Sequence, residues 1–257
     1  MLSKNKIKYI NSLKISKFRQ ENKQFVAEGS KLVNDLIKGN FKVSELFGTQ
    51  KWLEENTGLT VNIQTYTVTD AELNRISNLN EPNSVIAIAD IPYYEVDFET
   101  ISNNLLIVLD GISDPGNMGT LIRTSDWFGI ENIICSENTV DVYNPKVVQA
   151  SMGSIARVKT HYTNLVHFLG KIPKEIEVCG TFMDGENIYD TVLSSKALLV
   201  FGSEARGISK ELLPFITKKL SIPVSGKKVI KPESLNVAVS HAIITAEYIR
   251  QTKNCNY

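Results

Sequence analysis

The 257-residue sequence has no excess charge of either sign, 28 Lys plus Arg against 28 Asp plus Glu, which excludes the uniformly basic coat of a general nucleic-acid-packaging protein. It has no apolar run near the roughly 18 residues of a membrane span, and residues 1–8 carry three lysines where a secretory leader needs an apolar stretch. A cytoplasmic protein with no membrane partner is expected. Cysteine and histidine are scarce, at three each. Cys135, Cys179 and Cys255 form no C-x-x-C pair, and with the scattered His161, His167 and His241 they complete no zinc spacing. Reduced thiols and no metal follow. Glycine and proline, 15 and 8 residues, are too few for a collagenous or low-complexity chain.

What is present is an ordinary globular composition, 42% apolar and 22% charged. At roughly 150 residues per domain this is one to two domains, enough to bury a core without disulfides. The charge is unevenly distributed. Before residue 25 stand Lys4, Lys6, Lys8, Lys14, Lys17, Arg19 and Lys23 against Glu21 alone, and a second cluster, Lys218, Lys219, Lys227, Lys228 and Lys231, contains no acid. A charge run taken alone reads first as a solvated face.

Apolar periodicity predicts helices over 3–14, with Ile7, Ile10 and Leu13, and over 29–38, with Leu32, Val33, Leu36 and Ile37, stopped by Gly39. Strand-like runs at 43–47, 62–66 and 84–89 alternate with helical stretches near 50–55 and 69–76, an α/β pattern. Residues 90–99 hold four acids, one proline and no base; they read as a connection between domains 1–97 and 98–257. The alternation then restarts: a strand at 105–109, a helix near 117–128, strands at 132–135, 177–183, 197–201 and 220–224, and a last helix at 235–250 with a stripe of Leu235, Val239, Ala242, Ile243, Ala246 and Ile249. Such a pattern implies a mostly parallel sheet whose ligands sit at the carboxyl ends of its strands. The loops after Leu109, Phe201 and Val224 are the places to look.

In the first loop, Gly111-x4-Gly116 imitates a phosphate-binding P-loop, but Asn117 stands where its lysine must be, and no G-x-G-x-x-G occurs. Kinase, ATPase and dinucleotide-dependent dehydrogenase readings lose their support. On spacing alone Asn117 reads first as a cap for the helix that follows, and Arg123 as a residue of that helix's surface. The second loop, Gly202-Ser-Glu-Ala-Arg-Gly207, sets Glu204 between two glycines, which serves a plain turn or a close approach of backbone to ligand equally well. In the third, Ile222-Pro-Val-Ser-Gly226 leads through a Lys-rich stretch to Ser234-Leu-Asn-Val237. Ser234 is the expected N-cap, and Asn236, a mediocre helix former in a first turn, needs another explanation.

In this order and spacing, over residues 105–250, N-x-G-x-x-x-R after a strand, G-S-E-x-x-G, and I-P-x-x-G followed by S-L-N-V resemble the three motifs of the SpoU (TrmH-like) RNA 2'-O-ribose methyltransferases of the SPOUT superfamily. Residues 25–33, Phe-Val-Ala-Glu-Gly-Ser-Lys-Leu-Val, resemble the opening of the L30e-like substrate-binding domain often joined to that catalytic domain. The resemblance implies a C-terminal α/β trefoil-knot methyltransferase domain behind a smaller N-terminal α/β (L30e-like) domain, S-adenosyl-L-methionine bound in the knot, and a homodimer whose site draws on both subunits. It assigns Gly202, Ile222 and Leu235 to the cofactor, and Asn117, Arg123, Glu204, Ser234 and Asn236 to catalysis or substrate positioning. Two departures stand out: Ala205 and Arg206 follow Glu204 where the family often has another glycine, and the stretch 227–233 is longer than its usual counterpart.

The implied reaction is attack of a ribose 2'-hydroxyl on a sulfonium methyl. Ribosomal RNA is the favoured substrate. The alternatives are the same transfer to a tRNA, or a non-catalytic RNA-binding or ribosome-assembly factor that keeps the fold. The basic segment Lys4, Lys6, Lys8, Lys14, Lys17 and Arg19 is expected to contact RNA phosphates.

Overall fold

The computed structural model describes residues 1–95, 105–224 and 234–252. They form two compact units: Met1–Tyr93 with Asp141–Arg157, and Tyr94–Val140 with Val158–Tyr257.

In the first unit, α1 (Lys4–Ser12) is capped by the Ser3 hydroxyl, which accepts from the Lys6 amide. It leads into α2 (Ser16–Asn22), which ends at Lys23 in the left-handed region, φ 52°. There follow β1 (Gln24–Glu28), α3 (Ser30–Lys38), β2 (Val43–Gly48), α4 (Gln50–Glu55), β3 (Gln64–Thr67), α5 (Asp70–Ile76) and β4 (Val85–Asp90). The sheet order is β1-β4-β2-β3, with β4 antiparallel to both neighbours. The central strand β4 is covered on both faces, so it reads Val-Ile-Ala-Ile-Ala without polar alternation. Ile10 and Leu13 pack with Phe47, Leu73, Ile76 and Ile88 into one cluster.

The second unit begins with β5 (Leu106–Asp110), α6 (Pro115–Trp127) and β6 (Asn132–Ser136). Residues 141–157, with α7 (Pro145–Ala150), then belong to the first unit. The chain resumes with β7 (Lys159–Thr163), α8 (Leu165–Leu169), β8 (Glu177–Asn187), β9 (Ala197–Gly202), a 3-10 segment Lys210–Phe215, β10 (Lys218–Ser221) and α9 (Val237–Thr252). All pairings in the order β10-β8-β9-β5-β6-β7 are parallel, as alternating strands and helices require. One face buries Val108, Ile134, Val178 and Val200 against Leu165, Phe168 and Leu169 of α8. α9 packs on α6 and β9.

One expectation needs correction here. The units divide at Tyr93/Tyr94 rather than at 97/98, and 141–157 is not part of the second unit. The segment is held in the first by Tyr143, whose ring lies 4.7 Å from that of Phe25, by buried Val147 and Val148, and by Gly153, where a Cβ would overlap the Asp35 carboxylate. No residue of the apolar stripe on the last helix is fully buried. Val237, Ala238, His241, Ile244, Thr245 and Tyr248 are buried, whereas Leu235 before the helix and Val239 on it are 46% and 47% exposed. Burial pushes the His241 imidazole down to about 3, so it stays neutral.

Arg19 is a second correction, because it is 2% exposed and cannot present its charge to RNA. Its guanidinium donates to the Leu13 and Lys14 carbonyls at the end of α1, at 2.9 and 2.8 Å, and to Asp141 Oδ2 at 2.6 and 2.9 Å. It is a structural clasp. Removing one partner of a buried pair strands the other, so Arg19→Met should lower unfolding stability by about 3 kcal/mol, the low end of the range because Asp141 keeps some solvent. Urea denaturation measures this; a loss under about 1 kcal/mol contradicts the clasp.

Candidate active site

A cleft of about 750 Å³ opens beside the middle of β8, at the carboxyl ends of β9 and β10 and beside the start of α9. Its walls contain the three expected cofactor contacts, Gly202, Ile222 and Leu235, together with Glu204 and Ser234. A further part of the wall, Thr181, Phe182 and Met183, carries no signal in the sequence, where these residues read as the end of a strand. β10 pairs Lys219 with Gly180 and the next residue, Leu220, with Glu186, so five residues of β8 bulge out of the ladder, and the first three of them line the cleft.

The loop after β9 is closed on itself. Ser203 and Gly207 exchange backbone hydrogen bonds at 3.1 and 2.8 Å, and the Arg206 amide donates to Ser203 Oγ at 3.2 Å. Gly207 has φ 65°, and Gly202 lies so close beneath the returning chain that a Cβ there would overlap the backbone of Gly207 and Ile208. Beyond the loop, buried Asp110 at the end of β5 accepts from the Ser209 amide at 2.7 Å and from its hydroxyl. Asp110 is another residue that motif spacing did not single out, although an acid ending an apolar strand was a visible signal.

Three loops meet through one chain of side-chain amides. α9 begins at Val237, and its N-cap is Asn236, not Ser234: Asn236 Oδ1 accepts from the Ala238 and Val239 amides at 3.0 and 3.4 Å. That fixes which way the amide faces, since the cap consumes the oxygen. Asn236 Nδ2 therefore donates to Asn117 Oδ1 at 2.9 Å, and Asn117 Nδ2 donates to the Glu204 carboxylate. Asn117 is free for this because Asp114 caps α6, accepting from the Asn117 amide at 2.7 Å. Arg123 is not joined to the group. It is exposed on α6 and makes no hydrogen bond or ion pair among the described residues.

No histidine or cysteine lines the cleft among the described residues. Cys135 and Cys179 are buried, with thiols pushed up by desolvation. No group of three or more potential metal ligands occurs among the described residues, and no helix there is long and apolar enough to cross a membrane. Of the expected RNA contacts, Lys4, Lys8 and Lys17 are exposed, Lys6 is paired with Glu45 at 2.8 Å, and Lys14 donates to the Ser77 carbonyl at 2.8 Å. Lys218 pairs with Glu177 at 2.7 Å; Lys227, Lys228, Lys231 and the long stretch 227–233 lie outside the described residues.

Residues 104–246 match the model of the SpoU rRNA methylase family, and residues 4–87 that of the MRM3-like substrate binding domain. The chain is 29% identical over 241 residues, 93% of its length and 94% of the relative's, to the 23S rRNA (guanosine(2553)-2'-O)-methyltransferase RlmP of Bacillus subtilis. Among solved structures it is similar to an RNA methyltransferase of the TrmH family from Porphyromonas gingivalis (38% identity, TM-score 0.87, 97% of this chain and 99% of that one). A second is the AdoMet-bound rRNA methyltransferase of Sinorhizobium meliloti (27% identity, TM-score 0.85, 97% and 96%).

Proposed function

The chain belongs to the SpoU rRNA methylase family, and from that premise we propose that it transfers a methyl group from S-adenosylmethionine to a ribose 2'-hydroxyl of ribosomal RNA. The observation that carries this reading is the Asn236–Asn117–Glu204 chain at the rim of the cleft. The cleft fits the cofactor in size and character: its volume is that of a small-molecule site, Phe182, Met183, Ile208, Ile222 and Leu235 offer apolar walls to a purine, and Thr181, Ser203 and Ser234 offer hydroxyls to a ribose and an amino acid. Bound there, S-adenosylmethionine supplies a methyl group activated on a sulfonium.

The chain's own residues orient the hydroxyl and take its proton. Glu204 is the one carboxylate among the described residues lining the cleft, and Asn117, locked in orientation by Asn236, holds it in place to accept the proton as the oxygen attacks. Ser234 and Asn236 border the same entrance and position the ribose. Arg123, a guanidinium with a pKa above about 12, is a poor base; it holds an RNA phosphate and stabilises the developing alkoxide. Arg123→Ala should therefore lower methyl transfer at least about tenfold, roughly 1.4 kcal/mol of transition-state stabilisation, without changing cofactor affinity. Wild-type turnover would leave Arg123 a surface residue.

Arg123 makes no contact within its own site, and the outer face of α9 is apolar, with Leu235, Val239 and Ala246 exposed and Trp127 at the end of α6 86% exposed. Both features support a homodimer in which α9 is covered by the second subunit. Light scattering of the full chain at micromolar concentration should give twice the 28.7 kDa chain mass; a fully active monomer refutes the shared site. Similarity to a 23S rRNA enzyme over 93% of the chain, with the substrate-binding match at 4–87, supports ribosomal RNA over tRNA and with it a cytoplasmic location.

A further inference from the structure

Arg206 stands on the rim of the cleft, its guanidinium without a partner among the described residues. The reciprocal hydrogen bonds between Ser203 and Gly207 make a turn whose tip is Glu204, Ala205 and Arg206, all exposed and all lining the cleft. The Arg206 backbone is tied down through its amide to Ser203 Oγ, so its side chain springs from a fixed point. The two charges of the tip have different fates. Glu204 receives the Asn117 amide, whereas the Arg206 guanidinium makes no hydrogen bond or ion pair among the described residues. It is also the one cationic side chain among the described residues lining the cleft.

Electrostatics decides what it can recognise. S-adenosylmethionine carries a sulfonium, an ammonium and a carboxylate, a net charge of about +1, and a second cation at the rim of its cleft does not favour it. A polyanionic strand entering the same mouth is attracted, and a guanidinium presents the planar fork that matches two phosphate oxygens. We propose that Arg206 binds a phosphate of the RNA substrate beside the target ribose, so that the turn bearing the proton acceptor Glu204 also grips the strand two residues away. The inference rests on the methyl-transfer reading and adds a contact that selects RNA over any smaller hydroxyl compound.

The test uses the full chain, S-adenosylmethionine and an unmodified 23S rRNA transcript. Arg206→Gln should raise the KM for RNA about tenfold, flatten the plot of log RNA affinity against log salt by about 0.7, the value for one lost phosphate contact, and leave the S-adenosylmethionine Kd within twofold. Arg206→Lys should restore the salt slope and only part of the affinity. An unchanged KM and slope in Arg206→Gln overturns the assignment, as does a weakened cofactor Kd with an unchanged slope, which would mean that the guanidinium holds the cofactor carboxylate. Both outcomes presuppose a wild-type protein that methylates the transcript; absence of that activity would instead overturn the methyl-transfer reading.

Discussion

Gly202→Ala should weaken S-adenosylmethionine binding at least about 100-fold, close to 2.7 kcal/mol, and also lower the stability of the chain. The added methyl would meet the backbone of Gly207 and Ile208, which cannot swing aside as a flexible side chain does. The returning arm of the turn must then move, breaking the paired bonds between Ser203 and Gly207 and straining the Ser209–Asp110 anchor that follows. Overpacking of this kind costs about 1–3 kcal/mol, and here the displaced atoms form one wall of the cleft. Calorimetric titration with S-adenosylmethionine, paired with thermal unfolding, measures both effects. Binding at wild-type affinity would mean that the turn does not shape the site.

Asn236 separates helix capping from catalysis, because its oxygen and its nitrogen have different partners. In Asn236→Asp a carboxylate oxygen still accepts from the Ala238 and Val239 amides, and aspartate caps as well as asparagine. Stability should be unchanged. The donor to Asn117 is lost, however, so Asn117 turns its own amide towards the new carboxylate and presents a carbonyl oxygen to Glu204, where it formerly donated. Misplacement of a reacting group by this much costs on the order of 100-fold in rate, and kcat should fall accordingly. Asn236→Ala should show the same rate loss together with about 1 kcal/mol of lost stability from the missing cap. Equal stability in the two variants, or a normal kcat in Asn236→Asp, would break the proposed relay.

The site was legible where its chemistry is local. Gly202 and Gly207 are dictated by a tight turn, and Asn117, Glu204 and Asn236 fall in short motifs whose spacing survives in the chain, so the loops to inspect could be named before any contact was known. Their mutual contacts could not. Ser234 looked like the N-cap because a helix start is judged from neighbouring residues, and only the observed start of α9 at Val237 shows Asn236 in that role. Thr181 to Met183 were hidden for another reason: a bulge appears in the pairing of β8 with β10, and strand order is absent from a strand's own pattern.

The larger misreadings are of the same physical origin. Val147 and Val148 are apolar whichever unit they pack in, so hydrophobic patterning could not show 141–157 leaving the parallel sheet. α9 is apolar on two sides, and its inner face is the more polar in composition, with His241, Thr245 and Tyr248 buried. Arg19 entered the basic segment because charge is counted along the chain, whereas its partner Asp141 is 122 residues away. These partners are set by tertiary packing, which outweighs local preference.

The most direct measurement is transfer of labelled methyl from S-adenosylmethionine to an unmodified 23S rRNA transcript by the full chain, followed by alkaline hydrolysis of the product. A methyl group on a 2'-oxygen removes the nucleophile that alkali uses to cleave the neighbouring phosphodiester, so the account predicts label recovered in one alkali-resistant dinucleotide. Label released as a mononucleotide would place the methyl on a base, and no label in the RNA despite measurable cofactor binding would contradict 2'-O-methylation of ribosomal RNA by this chain.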